Sequence, residues 1–228
     1  MMSLTMFGIP MGVIIPMFIG IVYSIGAIVF VRVYLRDRGE LMAAFLAFLI
    51  SMATANIFMG LGMYTGLALF MFLTMFAIFI GSAFLLKFPL TIFGESLRSP
   101  LFYIFLVMVL MVNMWMIISP IPGEQMSEIA MIFMIIVNGI ITGFFMIWTG
   151  IRATNKAIKI KAIGGGLGVS SCCLVSHVLF STQVDIGLIS SVFFQFIAPF
   201  LILGSVYAGR RVQNQSTTNP SQTSPVGI

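Results

Sequence analysis

The fold is decided by an uncharged apolar run near the N-terminus, Ile9-Pro-Met-Gly-Val-Ile-Ile-Pro-Met-Phe-Ile-Gly-Ile-Val-Tyr-Ser-Ile-Gly-Ala-Ile-Val-Phe-Val31, which stops at Arg32. A helix needs about 20 apolar residues to cross the roughly 30 Å hydrocarbon core of a bilayer. The run has that length, and it lacks the apolar–polar alternation that is typical of a transmembrane barrel strand. It therefore predicts a transmembrane helix.

Six more runs of this kind follow, none with Asp, Glu, Lys or Arg inside it. The predicted spans are about 9–31, 41–63, 67–86, 101–119, 129–151, 162–180 and 186–208. The chain of 228 residues is 60% hydrophobic and 7% charged, whereas a soluble domain carries about 25% charged residues. We predict an all-α, multi-pass membrane bundle of seven helices over residues 1–209. The polar tail over 210–228 has too little apolar surface to fold, so we predict that it is disordered.

The charges predict the direction of the spans. All 11 Lys and Arg residues lie after spans 1, 3, 5 and 7, whereas the connections on the other side carry only Glu124, Glu128 and Asp185. Lys and Arg in short loops stay on the cytoplasmic face. We therefore predict a cell-membrane protein with its N-terminus outside and its C-terminus in the cytoplasm. The net charge of +5 then describes orientation and gives no evidence of a nucleic-acid partner.

The order of the elements suggests two similar halves around span 4. A shift of about 120 residues places Arg32 on Arg152 and span 2 on span 6. No residue-level repeat supports this 3+1+3 layout, which the odd number of spans permits. Two glycine patterns, Gly139-xxx-Gly143 in span 5 and Gly164-Gly-Gly-Leu-Gly168 in span 6, predict faces where helix backbones approach closely.

Polar side chains inside the spans are the candidates for function, because they are costly in hydrocarbon unless they face the bundle interior. Counting along the helices places all of them in the outer half. They are Asn56, Asn113, Asn138, His177 and Gln195. One interpretation is a pocket that binds a small ligand from the outer side. The other is that each side chain bonds to a neighbouring helix and only stabilises packing.

Several classes are excluded or disfavoured by missing residues. The spans hold no carboxylate for a proton relay, span 7 has no lysine for a retinal Schiff base, and the chain has one histidine. The adjacent Cys172 and Cys173 disfavour an ordinary disulfide. Met and Cys spacings of four residues arise readily by chance among 19 Met. We therefore predict no enzyme activity, no catalytic residue, no cofactor and no metal.

Two basic stretches carry a family resemblance. Val31-Arg-Val-Tyr-Leu-Arg-Asp-Arg-Gly-Glu40 leads into span 2, and Lys159-Ile-Lys-Ala-Ile-Gly-Gly-Gly-Leu-Gly168 leads into span 6. With seven spans and an outside N-terminus, the chain resembles the heptahelical sensor domains of microbial signalling proteins. The resemblance implies a receptor that binds a small molecule. The polar tail stands where those proteins have an output domain, so we expect signalling through a separate membrane or cytoplasmic partner.

Two alternatives remain open. The first is a small solute transporter that resembles the 3+1+3 sugar and metabolite carriers, which use paired prolines in equivalent positions of their halves. Pro16 in span 1 and Pro199 in span 7 have no such counterparts. The second is an accessory subunit of a larger membrane complex, since the chain has no soluble domain that could act alone.

Overall fold

A computed structural model describes most of the chain. The described residues are 5–6, 9–36, 38–87, 100–104, 106–108, 110–111, 114, 132, 134–175 and 185–218. A short antiparallel pair, β1 (Thr5–Met6) and β2 (Ile9–Pro10), precedes the first helix. All the longer elements are helical, which confirms the predicted all-α class.

The helices of the first half are α1 (Met11–Arg36), α2 (Glu40–Thr65) and α3 (Ala68–Leu85). The second half begins with a π-helical segment, π1 (Met134–Gly143), which continues directly into α4 (Phe144–Arg152). Helix α5 (Lys156–Ser170) continues into a second π-helical segment, π2 (Ser171–Val175). The last helix is α6 (Asp185–Thr218).

Five helical stretches within the described residues are long and apolar enough to cross a membrane. They are Met11–Arg36, Met42–Thr65, Ala68–Leu85, Lys156–Leu174 and Val192–Gln215. The predicted span 129–151 corresponds to π1 and α4, and about half of the predicted span 101–119 lies outside the described residues. The fold is compatible with a multi-pass membrane protein, while the count of seven spans and their direction stay predictions.

Helix α1 shows why lipid is the expected solvent. Its buried face includes Tyr23 and Phe30, and its opposite face exposes Ile25 and Ile28, which are 57% and 66% accessible. A water-soluble amphipathic helix would carry polar residues on that exposed face. A helix that is apolar on both faces suits a bundle core on one side and hydrocarbon on the other.

The largest differences from the predicted boundaries are at one end of α5 and one end of α6. Helix α5 begins at Lys156 rather than near 162, because the Asn155 side chain accepts hydrogen bonds from the backbone N–H groups of Ala157 and Ile158 and caps the helix. Helix α6 continues to Thr218 rather than ending near 208. The segment predicted as disordered from 210 is therefore helical over its first part, and residues 219–228 lie outside the described residues.

The two halves have the same packing pattern. Within the first half α2 packs against both α1 and α3, and within the second half α5 packs against both π1–α4 and α6. Between the halves, α1 packs against α6 and α3 packs against π1. Exchanging α1 with π1–α4, α2 with α5–π2 and α3 with α6 leaves this set of contacts unchanged. The pattern therefore agrees with the predicted two-half layout.

The first and second helices of each half approach closely at matching positions. A methyl group added at Gly20 would lie 2.8 Å from Cγ1 of Ile57, and one added at Gly139 would lie 2.6 Å from Cβ of Leu174. Gly139 lies 119 residues after Gly20, and Leu174 lies 117 residues after Ile57. Close backbone approach thus recurs at equivalent places.

The second and third helices of each half repeat the correspondence. A methyl group added at Gly81 would lie 2.7 Å from Cβ of Ser51, and one added at Gly168 would lie 2.6 Å from Cγ1 of Ile202. Gly168 lies 117 residues after Ser51, the same offset that relates Ile57 to Leu174, although the glycine is on the other helix of the pair. Two separate contacts therefore give one alignment of α2 with α5–π2.

The core is one buried cluster to which helices of both halves contribute. Phe45, Phe48 and Leu49 of α2 belong to one buried cluster with Val169 of α5. The Phe45 ring reaches the backbone of Gly165, where an added methyl group would collide with it. The Gly164 run thus provides the close approach predicted from the sequence. It also allows the halves to meet at the middle of the bundle.

Candidate functional site

Asn138 bonds across the boundary between the two halves. Its Nδ2 donates a hydrogen bond of 2.6 Å to Oγ of Ser82, which in turn donates to the carbonyl oxygen of Ile78 at 2.8 Å. Asn138 is on π1 and Ser82 is near the end of α3, and both side chains are 0% exposed. One amide and one hydroxyl therefore link the halves in a dry environment.

The two cysteines extend this contact through π2. Cys172 and Cys173 are free thiols, both fully buried and within hydrogen-bonding reach of each other. The Cys173 thiol is also within hydrogen-bonding reach of the Asn138 side chain. From the other half, the Tyr23 hydroxyl donates to Sγ of Cys172 at 3.0 Å. The thiols thus stand between an amide on one side and a phenol on the other.

These groups form a continuous chain of buried polar side chains that we call the polar seam. Its members are Tyr23, Cys172, Cys173, Asn138 and Ser82. It runs from α1 through π2 and π1 to α3. It crosses the boundary between the halves twice, once from Tyr23 to Cys172 and once from Asn138 to Ser82.

Three of the five seam residues lie in π-helical segments. π-Helical turns are uncommon and are frequent at functional sites, because the extra residue in the turn redirects side chains and frees backbone carbonyls. One carbonyl here finds a hydroxyl partner, since Oγ of Ser170 donates to the Gly139 oxygen at 3.1 Å. The small residues Gly139 and Gly143 leave room for this approach, as their spacing predicted.

The predicted site residues do not share one partner. Nδ2 of Asn56 donates to the Met52 carbonyl of its own helix at 2.8 Å, and Gln195 is half-buried on α6. Asn138 alone of the three joins the polar seam. Asn113 and His177 lie outside the described residues. An outer pocket formed by all five residues stays a prediction.

Sequence reasoning missed four members of the seam. Tyr23 and Ser82 are not among the predicted site residues, and from the sequence Cys172 and Cys173 are considered only for disulfide or metal chemistry. A hydroxyl near the middle of an apolar run is one signal that could have found Tyr23. The two-half alignment is another, because Tyr23 is equivalent to Thr142, a second fully buried hydroxyl 119 residues further on.

The chemistry available at the seam is neutral hydrogen bonding. A phenol, two thiols, an amide and a hydroxyl can donate and accept hydrogen bonds, and none is an acid or base that is charged in its ordinary form at neutral pH. Such a set can hold an uncharged polar group, and it offers no opposite charge to a carboxylate or an ammonium. Within the described residues, no group of three His, Cys, Asp or Glu side chains forms a metal site.

Comparison of this chain with protein-family models, with curated proteins and with solved structures gave no significant match. The class of protein is therefore inferred from its own fold and buried polar contacts. The fold and the seam define an all-α bundle of apolar, membrane-compatible helices in two similarly packed halves, joined through a buried polar contact.

Proposed function

We propose that the protein is a small membrane carrier of 3+1+3 layout that moves an uncharged polar solute between its two halves. The observation that carries this proposal is the position of the polar seam on the boundary between halves with the same packing pattern. In carriers built from structural repeats, the substrate site lies at the interface of the repeats, near the middle of the membrane.

The matching close approaches support an internal repeat. The offset of 117 residues for the second helices comes from two sets of contacts that do not share a residue, and the first set also gives the offset of 119 for the first helices. Equivalent helices of the two halves are four spans apart, counting the linking span. Because this number is even, both halves would run in the same direction across the membrane. Parallel repeats of this kind are known in carriers.

The seam also provides a means of opening. A solute reaches fully buried groups only if the halves separate around the seam. This breaks the two hydrogen bonds of the seam, each worth about 0.6 kcal/mol on average in a membrane protein, together with part of the apolar packing between the halves. The carriers that this layout resembles hinge at paired prolines. Here the position equivalent to Pro16, by the offset of 119 residues, is Ile135. The position equivalent to Pro199 is Ile78, by the offset of 121 residues that relates Gly81 to Ile202 in the third helices. In this proposal the π-helical segments act as the hinges, because their irregular backbone hydrogen bonding makes them points of bending.

The test is uptake of small uncharged solutes, such as polyols and amides, into proteoliposomes that contain the purified protein. The seam variant is Asn138→Ala, and the matched control is Asn56→Ala. The control removes a second buried amide whose hydrogen bond among the described residues is to a carbonyl of its own helix. We expect uptake by the native protein and by the control, and a loss of about tenfold or more in the seam variant. Equal uptake by both variants, or no uptake of any solute above empty liposomes, contradicts the proposal.

A receptor that resembles the heptahelical sensors is the second candidate, and one contact favours it. Arg210 on α6 donates through Nη2 to the Val33 carbonyl of α1 at 2.8 Å, about 15 Å along α1 from Tyr23. A rearrangement at the seam would therefore reach the ends of two helices beside the basic loop 32–40. Absence of uptake, together with ligand-dependent copurification of a signalling partner, would favour this function. A stoichiometric membrane assembly would instead favour the accessory subunit.

A further inference from the structure

A polar cavity lies where the end of α1 meets the extended part of α6. It is lined by Arg36, Arg210, Gln213 and Asn214 and has a volume of about 250 Å³. Two guanidinium groups and two amides from different helices thus surround one space. All four side chains can donate hydrogen bonds, and the guanidinium groups cannot accept any.

The backbone holds these groups in place. Arg36 is in the last turn of α1, and Arg210 is fixed to the same helix by its bond to the Val33 carbonyl. Gln213 and Asn214 follow Arg210 by about one turn of α6, because this helix continues to Thr218. The unexpected length of α6 therefore completes the cavity.

The surrounding charge is positive. In the sequence, the segment 32–40 and the pair Arg210 and Arg211 together hold five arginines and two acidic residues. Helix capping accounts for part of the arrangement, because Arg210 satisfies a carbonyl and a cation in the last turn suits the helix dipole. Capping does not require a second arginine and two amides around the same cavity.

We propose that this cavity binds a phosphate group. Arginine presents two parallel N–H donors that match phosphate oxygens, and side-chain amides add further donors. The cavity also lies at the end of apolar helices, the level at which phospholipid headgroups occur. A phospholipid and a soluble phosphate ester share this chemistry, so the experiment separates the two sources. The inference is independent of the carrier proposal, since it concerns different residues.

The first experiment uses native mass spectrometry of the full chain, released from nanodiscs that contain equal amounts of phosphatidylglycerol and phosphatidylcholine. The variant is Arg36→Gln, because among the described residues the backbone carbonyl that joins α1 to α6 is bonded by Arg210 and not by Arg36. The matched control is Arg152→Gln, which removes one positive charge from a helix end outside the cavity, where Arg152 stacks 4.1 Å from the Trp148 ring centroid. A lipid source predicts about fivefold lower retention of phosphatidylglycerol for Arg36→Gln than for Arg152→Gln.

The second experiment measures the thermal stability of the same three proteins in detergent with inorganic phosphate, and with chloride at matched ionic strength. A soluble phosphate source predicts stabilisation by phosphate that Arg36→Gln loses and Arg152→Gln keeps. A further variant, Arg210→Lys, retains the charge but not the paired donors and should weaken either response. If Arg36→Gln and Arg152→Gln behave alike in both experiments, the cavity does not bind phosphate. If the two variants differ in the phosphate-dependent Tm but retain equal phosphatidylglycerol, the bound phosphate comes from a soluble ion. If they differ in lipid retention but not in Tm, it comes from a phospholipid.

Discussion

Asn138 and Ser82, 56 residues apart in the chain, are joined by a hydrogen bond of 2.6 Å between π1 and α3. Because this bond crosses the boundary between the halves, its strength is testable by a double-mutant cycle with Asn138→Ala and Ser82→Ala. We expect a coupling free energy near the membrane-protein average of about 0.6 kcal/mol, with about 1.7 kcal/mol as an upper value. The measurement is the free energy of unfolding in mixed micelles. Strictly additive single variants would show that the bond does not hold the halves together.

The matching close approaches lead to a second prediction. Gly20→Ala and Gly139→Ala should each lower the free energy of unfolding by about 1–3 kcal/mol, because backbone atoms of Ile57 and Leu174 leave no room for a methyl group. Gly204→Ala is the matched control, since nothing lies within 4 Å of its added methyl group. We expect the control to be neutral or more stable by up to about 1 kcal/mol, given the higher helix propensity of alanine. Similar losses at all three positions would remove the packing argument for two equivalent halves.

The contrast between helices and seam shows what a sequence can predict here. The helices were predictable because an uncharged run of about 20 residues has few alternatives in a membrane. Helix α5 was predicted too short because its first turn holds Lys156 and Lys159, which were assigned to a loop, although lysine stems can extend along a helix with the charge in water. The seam was not predictable because Tyr23 and Cys172 are 149 residues apart and neither is unusual by type. Only the packing of α1 against π2 brings them together.

The cysteines provide a direct probe of the seam. Both thiols are at most 1% exposed, so N-ethylmaleimide reaches them only when the structure opens locally. With a free energy of opening of about 3 kcal/mol, labelling should be on the order of 100-fold slower than at a surface thiol. The reference is Thr154→Cys in a background with Cys172→Ser and Cys173→Ser, since Thr154 is exposed between α4 and α5. If the carrier proposal holds, a transported solute should change the labelling rate of the native pair. Labelling as fast as the reference without solute would contradict a closed seam.

The start of α5 depends on a single cap. Asn155→Ala should lower the free energy of unfolding by about 1 kcal/mol, because it removes the acceptor for the N–H groups of Ala157 and Ile158. Asn155→Asp keeps an acceptor at the same position and should restore most of the loss. Circular dichroism alongside the unfolding measurement would report any shortening of the helix. Equal stability of the alanine and aspartate variants would mean that the cap does not fix the helix start.

The predicted direction and number of spans can be tested with two cysteines in the Cys172→Ser, Cys173→Ser background. Leu67→Cys is in the exposed turn between α2 and α3, and Thr154→Cys is in the turn between α4 and α5. The charge distribution predicts that an impermeant maleimide labels Leu67→Cys in intact cells and Thr154→Cys only after permeabilisation. The reverse result would mean that the N-terminus is inside.

The same pair of sites tests the span that the described residues leave open. Between positions 67 and 154 the sequence predicts three crossings, namely 67–86, 101–119 and 129–151. An odd number of crossings places the two thiols on opposite sides of the membrane. If both react from the same side, one of the three segments does not cross, and 101–119 is the first to suspect because α3 and π1–α4 pack together in the bundle. That outcome would also remove the linking span that lets two halves run in the same direction, and with it the parallel-repeat form of the carrier proposal.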